Sequence, residues 1–168
     1  QTAQIHRVYV APGPATMPSG MLEIVVESGH RLRDAQTFGK QDPYVVVDCG
    51  KQHFRTPTHT DGGTNPRWDA ACVMRLTDEA EVTFVVWNSN TIMSDDMLGS
   101  AKCRLDGVMK EGRASMRVAL QDRASRSVGE ISVRFAFHAD QQQEGPVPQP
   151  PQPPPVAIQQ PPAPAPAP

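Results

Sequence analysis

Few residues of this sequence have the type and spacing that catalytic chemistry requires. Asp95 and Asp96 are adjacent carboxylates, the kind of pair that general acid–base catalysis uses. The five histidines show no metal-ligand spacing. The nucleophile elbow GxSxG, the zinc motif HExxH, the Walker loop and the dinucleotide motif GxGxxG are all missing from the sequence. We therefore expect a binding protein that is not an enzyme and requires no cofactor.

Composition excludes several other classes of protein. The 168 residues carry a net charge of −2, with 16 basic and 18 acidic residues interspersed, so nucleic acid is not an expected partner. Three cysteines without a CxxC pair predict free thiols. No apolar run approaches the roughly 20 residues of a membrane span. We expect an intracellular protein, either cytoplasmic or associated with membrane or cytoskeleton. A removed leader stays open because residue 1 is Gln.

Three segments alternate apolar and polar residues with a period of two, which is typical of strands with one buried face. The residues predicted to face inward are Leu22, Ile24 and Val26, then Val82, Phe84 and Val86, and finally Ile131, Val133, Phe135 and Phe137. Five shorter segments fit strands as well, over 44–49, 51–56, 68–76, 98–104 and 115–120. Eight short strands separated by turn residues predict an all-β fold, an eight-stranded antiparallel β-sandwich. One or two helical turns are expected over 105–112.

Both ends of the chain differ from this central part. Residues 1–19 contain three prolines and read as an extended arm, 20–140 as the folded domain, and 141–168 as a tail with proline at 12 positions. The tail favours a polyproline II conformation. It is either a spacer or a docking strip, and its PxxP pairs are Pro148 with Pro151 and Pro150 with Pro153.

Four motifs between the strands are informative together: GKQDPYV around Asp42, TNPRW ending at Trp68, VVWNSN around Trp87, and DDMLG beginning at Asp95. In this order and spacing they closely resemble the C2 domain, a β-sandwich module that binds phospholipid in a calcium-dependent manner. The resemblance covers about residues 20–138 and fits the second topology type of the family. We expect Trp68 and Trp87 to fill space between the sheets.

The resemblance implies a calcium site that has lost most of its charge. In calcium-binding members, five aspartates from two loops surround the ions. Here Asp42 and Asp96 match two of those positions, while Gln36, Asn88 and Asn90 occupy the other three. A formal charge near −2 holds a divalent cation far less tightly than one near −5. We expect no calcium binding at signalling concentrations, and only weak binding at millimolar calcium, in which Asp95 would take part.

Two functions remain open after the loss of calcium ligands. The chain could dock in a larger protein assembly as a scaffold or adaptor, with its tail as a tether. Alternatively, the apolar loop residues Phe38, Ile92 and Met93 could contact membrane phospholipid. A lysine-rich lipid-binding strand is poorly matched, because the segment 68–76 carries only Arg75. The neighbouring segment 51–55 has basic residues that keep contact with acidic lipid open.

Overall fold

The computed structural model describes residues 17–140 and 164–166. Most of the N-terminal arm and most of the proline-rich tail, including the predicted docking prolines Pro148, Pro150, Pro151 and Pro153, lie outside the described residues.

Eight strands and one short helix form the described domain. The strands are β1 (Gly20–His30), β2 (Pro43–Cys49), β3 (Gln52–Arg55), β4 (Arg67–Leu76), β5 (Glu81–Asn88), β6 (Asp96–Arg104), β7 (Arg113–Gln121) and β8 (Ser127–Ala139). The helix α1 (Asp106–Glu111) lies between β6 and β7, where one or two helical turns were predicted. Among the described residues, no helix is long and apolar enough to cross a membrane.

All strand pairs are antiparallel, and the strand order is β3-β2-β5-β6-β7-β8-β1-β4. Contact between β6 and β7 is limited to one registered pair, Ser100 with Gln121. The eight strands therefore form two four-stranded halves that enclose one apolar core. This confirms the predicted all-β sandwich, which alternating hydrophobicity and regular turn spacing had indicated.

The core consists of the inward faces that the period of two predicted. Leu22, Ile24 and Val26 of β1 are fully buried, and so are Val82, Phe84 and Val86 of β5. The four predicted residues of β8 are buried at 7% exposure or less. Phe84 and Phe135 meet edge to face across the core, with their ring centroids 6.3 Å apart. The described cysteines are free thiols, as predicted.

The two tryptophans occupy different places. Trp68 packs against the core, and its Nε1 donates a hydrogen bond to the carbonyl oxygen of Pro43 at 2.8 Å. Trp87 lies opposite Tyr44 on the outer face of the other half and is half-buried. The prediction that Trp87 fills inter-sheet space is therefore wrong. Its neighbours Val86 and Asn88 take the inward positions of β5, which leaves the odd-numbered residue outside.

Candidate functional site at the loop end

Two loops at one end of the sandwich carry the residues that the sequence singled out. One loop joins β1 to β2 over 31–42, and the other joins β5 to β6 over 89–95. They are neighbours because β2 and β5 pair directly, with Pro43 opposite Asn88. Strand pairing therefore brings Gln36, Asn88 and Asn90 together, although as many as 54 residues separate them.

Asn88 occupies the centre of this end and is fully buried. Its Oδ1 accepts a hydrogen bond of 2.8 Å from the backbone N–H of Asp42. Because that backbone group can only donate, the orientation of the Asn88 amide is fixed. Its Nδ2 must then face the loops, where it donates to Oε1 of Gln36 at 2.9 Å and, more weakly, to Oδ1 of Asn90 at 3.4 Å. The position nearest the centre therefore presents N–H groups.

Asn90 is fixed by the same reasoning. Its Nδ2 donates to the carbonyl oxygen of Ser94 at 2.9 Å and to Oδ2 of Asp96 at 3.0 Å, and both of these groups are acceptors. Two amide N–H groups thus bind oxygens that would face a cation in a charged site. We name this set of five residues the amide cage: Gln36, Asp42, Asn88, Asn90 and Asp96.

The amide cage does not fit Ca²⁺. A calcium ion takes six to eight oxygen ligands, and its affinity follows the charge of those ligands. The cage contributes two carboxylates, and one of them, Asp42, accepts a 2.7 Å hydrogen bond from the backbone N–H of Asp61. Among residues 17–140, no group of three or more His, Cys, Asp or Glu side chains could hold a metal ion. The N–H groups of Asn88 and Asn90 would repel a cation placed between the loops.

Asp95 lies beside the cage and contacts different partners. Its Oδ2 accepts a 2.6 Å hydrogen bond from the Tyr44 hydroxyl, and its Oδ1 accepts one of 2.9 Å from the backbone N–H of Asn90. These bonds, the one from Tyr44 first, hold the pKa of the Asp95 carboxyl below its usual range. Burial and the same hydrogen bond raise the pKa of Tyr44 to about 12. Asp95 therefore orders the second loop from outside the cage.

The pKa of Asp95 gives a prediction for Tyr44. Substitution Tyr44→Phe removes the hydroxyl donor, so we expect the pKa of the Asp95 carboxyl to rise toward its ordinary value of 3.8. The folded pKa is depressed, so the stabilisation from this hydrogen bond is complete above the unfolded pKa. It is lost as pH falls through the folded pKa. Carboxyl carbon NMR titration of both proteins measures the shift. Equal Asp95 titration curves would contradict this assignment.

Gln41 was missed by the sequence analysis, yet it connects the first loop to the rest of the domain. The side chain is fully buried. Its Oε1 accepts from the backbone N–H of Ala35 at 3.1 Å. Its Nε2 donates to the carbonyl oxygens of Arg33 at 3.0 Å and Gly63 at 3.1 Å. One neutral amide therefore satisfies three backbone groups from two loops without a metal. Its position before Asp42 in the motif was the only available signal.

The three apolar residues predicted at the loop tips are strongly exposed. Phe38 is 87% exposed, Ile92 97% and Met93 74%. All three line one cleft of about 400 Å³ between the two loops. Among residues 17–140, only Met21 and Val73 are other large apolar side chains with comparable exposure. The loop end therefore presents an apolar rim, which we define as Phe38, Ile92 and Met93.

The basic residues of the β2–β3 hairpin are largely engaged within the fold. The Nδ1 of His53 lies 2.5 Å from Oδ1 of Asp48. The guanidinium of Arg55 stacks on the ring of Tyr44, 3.6 Å from its centroid. Lys51 is exposed in the turn. This arrangement gives the hairpin little attraction for an acidic surface.

Comparisons with known proteins agree with this geometry. The family model of the C2 domain matches residues 20–120. The 16 kDa phloem protein 2 of Arabidopsis thaliana is 27% identical over 128 residues, covering 76% of this chain and 87% of that protein. The solved structure of a C2 domain-containing protein from a putative elicitor-responsive gene superposes with a TM-score of 0.67. It is 25% identical and covers 80% of this chain and 100% of its own.

Longer proteins contain similar domains. The match to Intersectin-1 of Mus musculus is 29% identical over 108 residues, which is 63% of this chain and 6% of that protein. A structure of two consecutive C2 domains of Extended-Synaptotagmin 2 superposes with a TM-score of 0.63 at 22% identity, covering 83% of this chain and 48% of that chain. Motifs, fold and family model agree, and the chain belongs to the C2 domain family.

Proposed function

We propose that this chain is a non-catalytic C2 binding module that acts without calcium. The observation that carries the proposal is the buried amide of Asn88, whose Nδ2 is held toward the loops by the Asp42 N–H on its other side. In this arrangement hydrogen bonds order the loops, and no cation is needed to bring them together. Binding would therefore persist in the presence of a calcium chelator.

The apolar rim supports a membrane surface as the partner. Phe38, Ile92 and Met93 project from two loops that Gln41, Asn88 and Asn90 keep ordered. Exposed apolar residues gain free energy when they enter the boundary between headgroups and acyl chains. The engaged cations of the hairpin give little electrostatic attraction to acidic lipid. We propose peripheral binding to membranes driven by apolar contact, with weak dependence on salt.

Vesicle sedimentation of the full chain tests this proposal. We expect binding to phosphatidylcholine vesicles in EDTA and unchanged binding after calcium is added. A triple variant Phe38→Ser, Ile92→Ser, Met93→Ser should bind roughly tenfold more weakly, because each partly buried apolar side chain contributes on the order of 1 kcal/mol. The matched control is Met21→Ser, Val73→Ser, which removes exposed apolar side chains away from the rim. Equal loss in both variants would contradict the role of the rim.

Docking in a protein assembly is the second candidate function. The proline-rich tail favours it, since a neutral segment with proline at 12 of 28 positions suits a tether or a docking strip. Failure of the full chain to bind both neutral and acidic vesicles would reject the membrane proposal. The rim would then be assigned to a protein partner, and the chain would act as a scaffold or adaptor.

A further inference from the structure

A second cleft, of about 380 Å³, opens at the loop end outside the amide cage. It lies between the start of β6 and the turn joining β7 to β8, with the outward face of β5 as one wall. Its volume lies within the roughly 300–1,000 Å³ that small-ligand sites occupy. The cleft shares one end of the sandwich with the apolar rim, because Asp96 lines both this cleft and the rim cleft.

One part of the cleft suits an organic cation. Trp87 is half-buried, and among the described residues the only cation stacked on an aromatic ring is Arg55, on Tyr44. The carboxylates of Asp95 and Asp96 line the same wall. An indole face together with carboxylates is an arrangement that attracts a quaternary ammonium group, which has no N–H to donate and is weakly hydrated.

Another part of the cleft suits an anion. Arg33 and Arg123 line it, and neither has a carboxylate partner among the described residues. One Nη2 of Arg33 donates to the carbonyl oxygen of Met97 at 3.1 Å, which fixes this guanidinium at the cleft and leaves its other N–H groups available. Arg126, by contrast, is paired with Asp122 at 2.6 Å. Guanidinium groups bind phosphate oxygens with several N–H donors at once.

Three arginines and three aspartates line the cleft, so its formal charge is zero. A simple anion or a simple cation would therefore meet a like charge, whereas a zwitterion can place each charge beside its opposite. We infer that the cleft binds a phosphocholine group, with the trimethylammonium against Trp87 and the phosphate toward Arg33 and Arg123. This inference deepens the membrane function proposed above, because phosphocholine is the headgroup of a neutral lipid.

Titration of the full chain with soluble phosphocholine tests the inference apart from any membrane. The chain has two tryptophans, so its NMR spectrum should show two indole N–H signals, which Trp87→Phe assigns. We expect the Trp87 signal to shift and saturate while the Trp68 signal stays in place. Choline alone and inorganic phosphate alone should each bind at least fivefold more weakly. Arg123→Gln, in an exposed turn that leaves the fold intact, should weaken phosphocholine binding to a similar degree.

The outcomes separate this inference from the membrane proposal. If phosphocholine leaves the Trp87 signal unmoved while vesicles still bind through the rim, the headgroup site is rejected and the membrane function stands. If choline alone binds as tightly as phosphocholine, the phosphate half of the inference is overturned. If soluble phosphocholine binds but phosphatidylcholine vesicles do not, the site takes a free ligand and the membrane function fails.

Discussion

Calcium binding should appear when the three amides of the cage become carboxylates. For the variant Gln36→Asp, Asn88→Asp, Asn90→Asp we expect a dissociation constant in the micromolar range, about 10⁻⁶–10⁻⁵ M, as in sensor sites with a full set of carboxylates. The natural chain should show no saturation below millimolar calcium. Two physical changes act together. The formal charge of the cage goes from −2 to −5, and the N–H groups that face the loops are replaced by oxygens.

Stability should change in the same experiment. Without calcium the variant places five carboxylates at one end of the sandwich, so mutual repulsion lowers its free energy of unfolding. Calcium at about 100 times the dissociation constant should restore about 2.7 kcal/mol. For a folded part of this size that corresponds to a rise in melting temperature of roughly 10 °C. The natural chain should melt at one temperature with calcium or EDTA.

Calorimetric titration and thermal melts measure both effects. The single variant Asn88→Asp is the control for geometry. It keeps an acceptor for the Asp42 N–H but adds only one charge, so we expect it to bind calcium weakly. Magnesium is the control for the ion, since it demands a tighter octahedral shell. Micromolar calcium binding by the natural chain would refute the interpretation of the cage, and no binding by the triple variant would refute the assumed loop geometry.

Much of the fold could be predicted from the sequence because its signals are local. A strand alternates its faces residue by residue, so Leu22, Ile24 and Val26 identify the buried face of β1 without knowledge of its neighbours. The same alternation contained the answer for Trp87. With Val82, Phe84 and Val86 inward, residue 87 had to point outward and Asn88 inward. The wrong prediction came from weighing the size of the indole above its position in the period.

Contacts within the site were predictable only in part. The motifs brought Gln36, Asn88 and Asn90 to one end, but which atom of each amide faces the centre depends on hydrogen bonds with distant residues. Asp95 was grouped with the calcium ligands, yet it binds the hydroxyl of Tyr44, which lies 51 residues earlier. No periodicity encodes such a contact, since it depends on how β2 and β5 pair.

Gln41 explains how the first loop is ordered without a metal, and its removal should have a large effect on stability. Substitution Gln41→Ala leaves the Ala35 N–H and the carbonyl oxygens of Arg33 and Gly63 without their partner. Each unsatisfied buried group costs about 1–3 kcal/mol, and water entering the loop end recovers some of this cost. We expect the free energy of unfolding to fall by about 3 kcal/mol. Urea unfolding measures this change.

Thr37→Ala is the matched control, because Thr37 is exposed in the same loop. We expect its effect to lie within about 0.5 kcal/mol of zero. Hydrogen exchange separates a local effect from a global one: the Ala35 amide should lose protection in Gln41→Ala, while amides in the centre of β1 should exchange at a rate set by global stability alone. Equal protection of Ala35 in the two variants would show that the loop is ordered by other contacts. Loss of protection would instead mean that a neutral amide has taken over the ordering task that a metal ion performs in a charged cage.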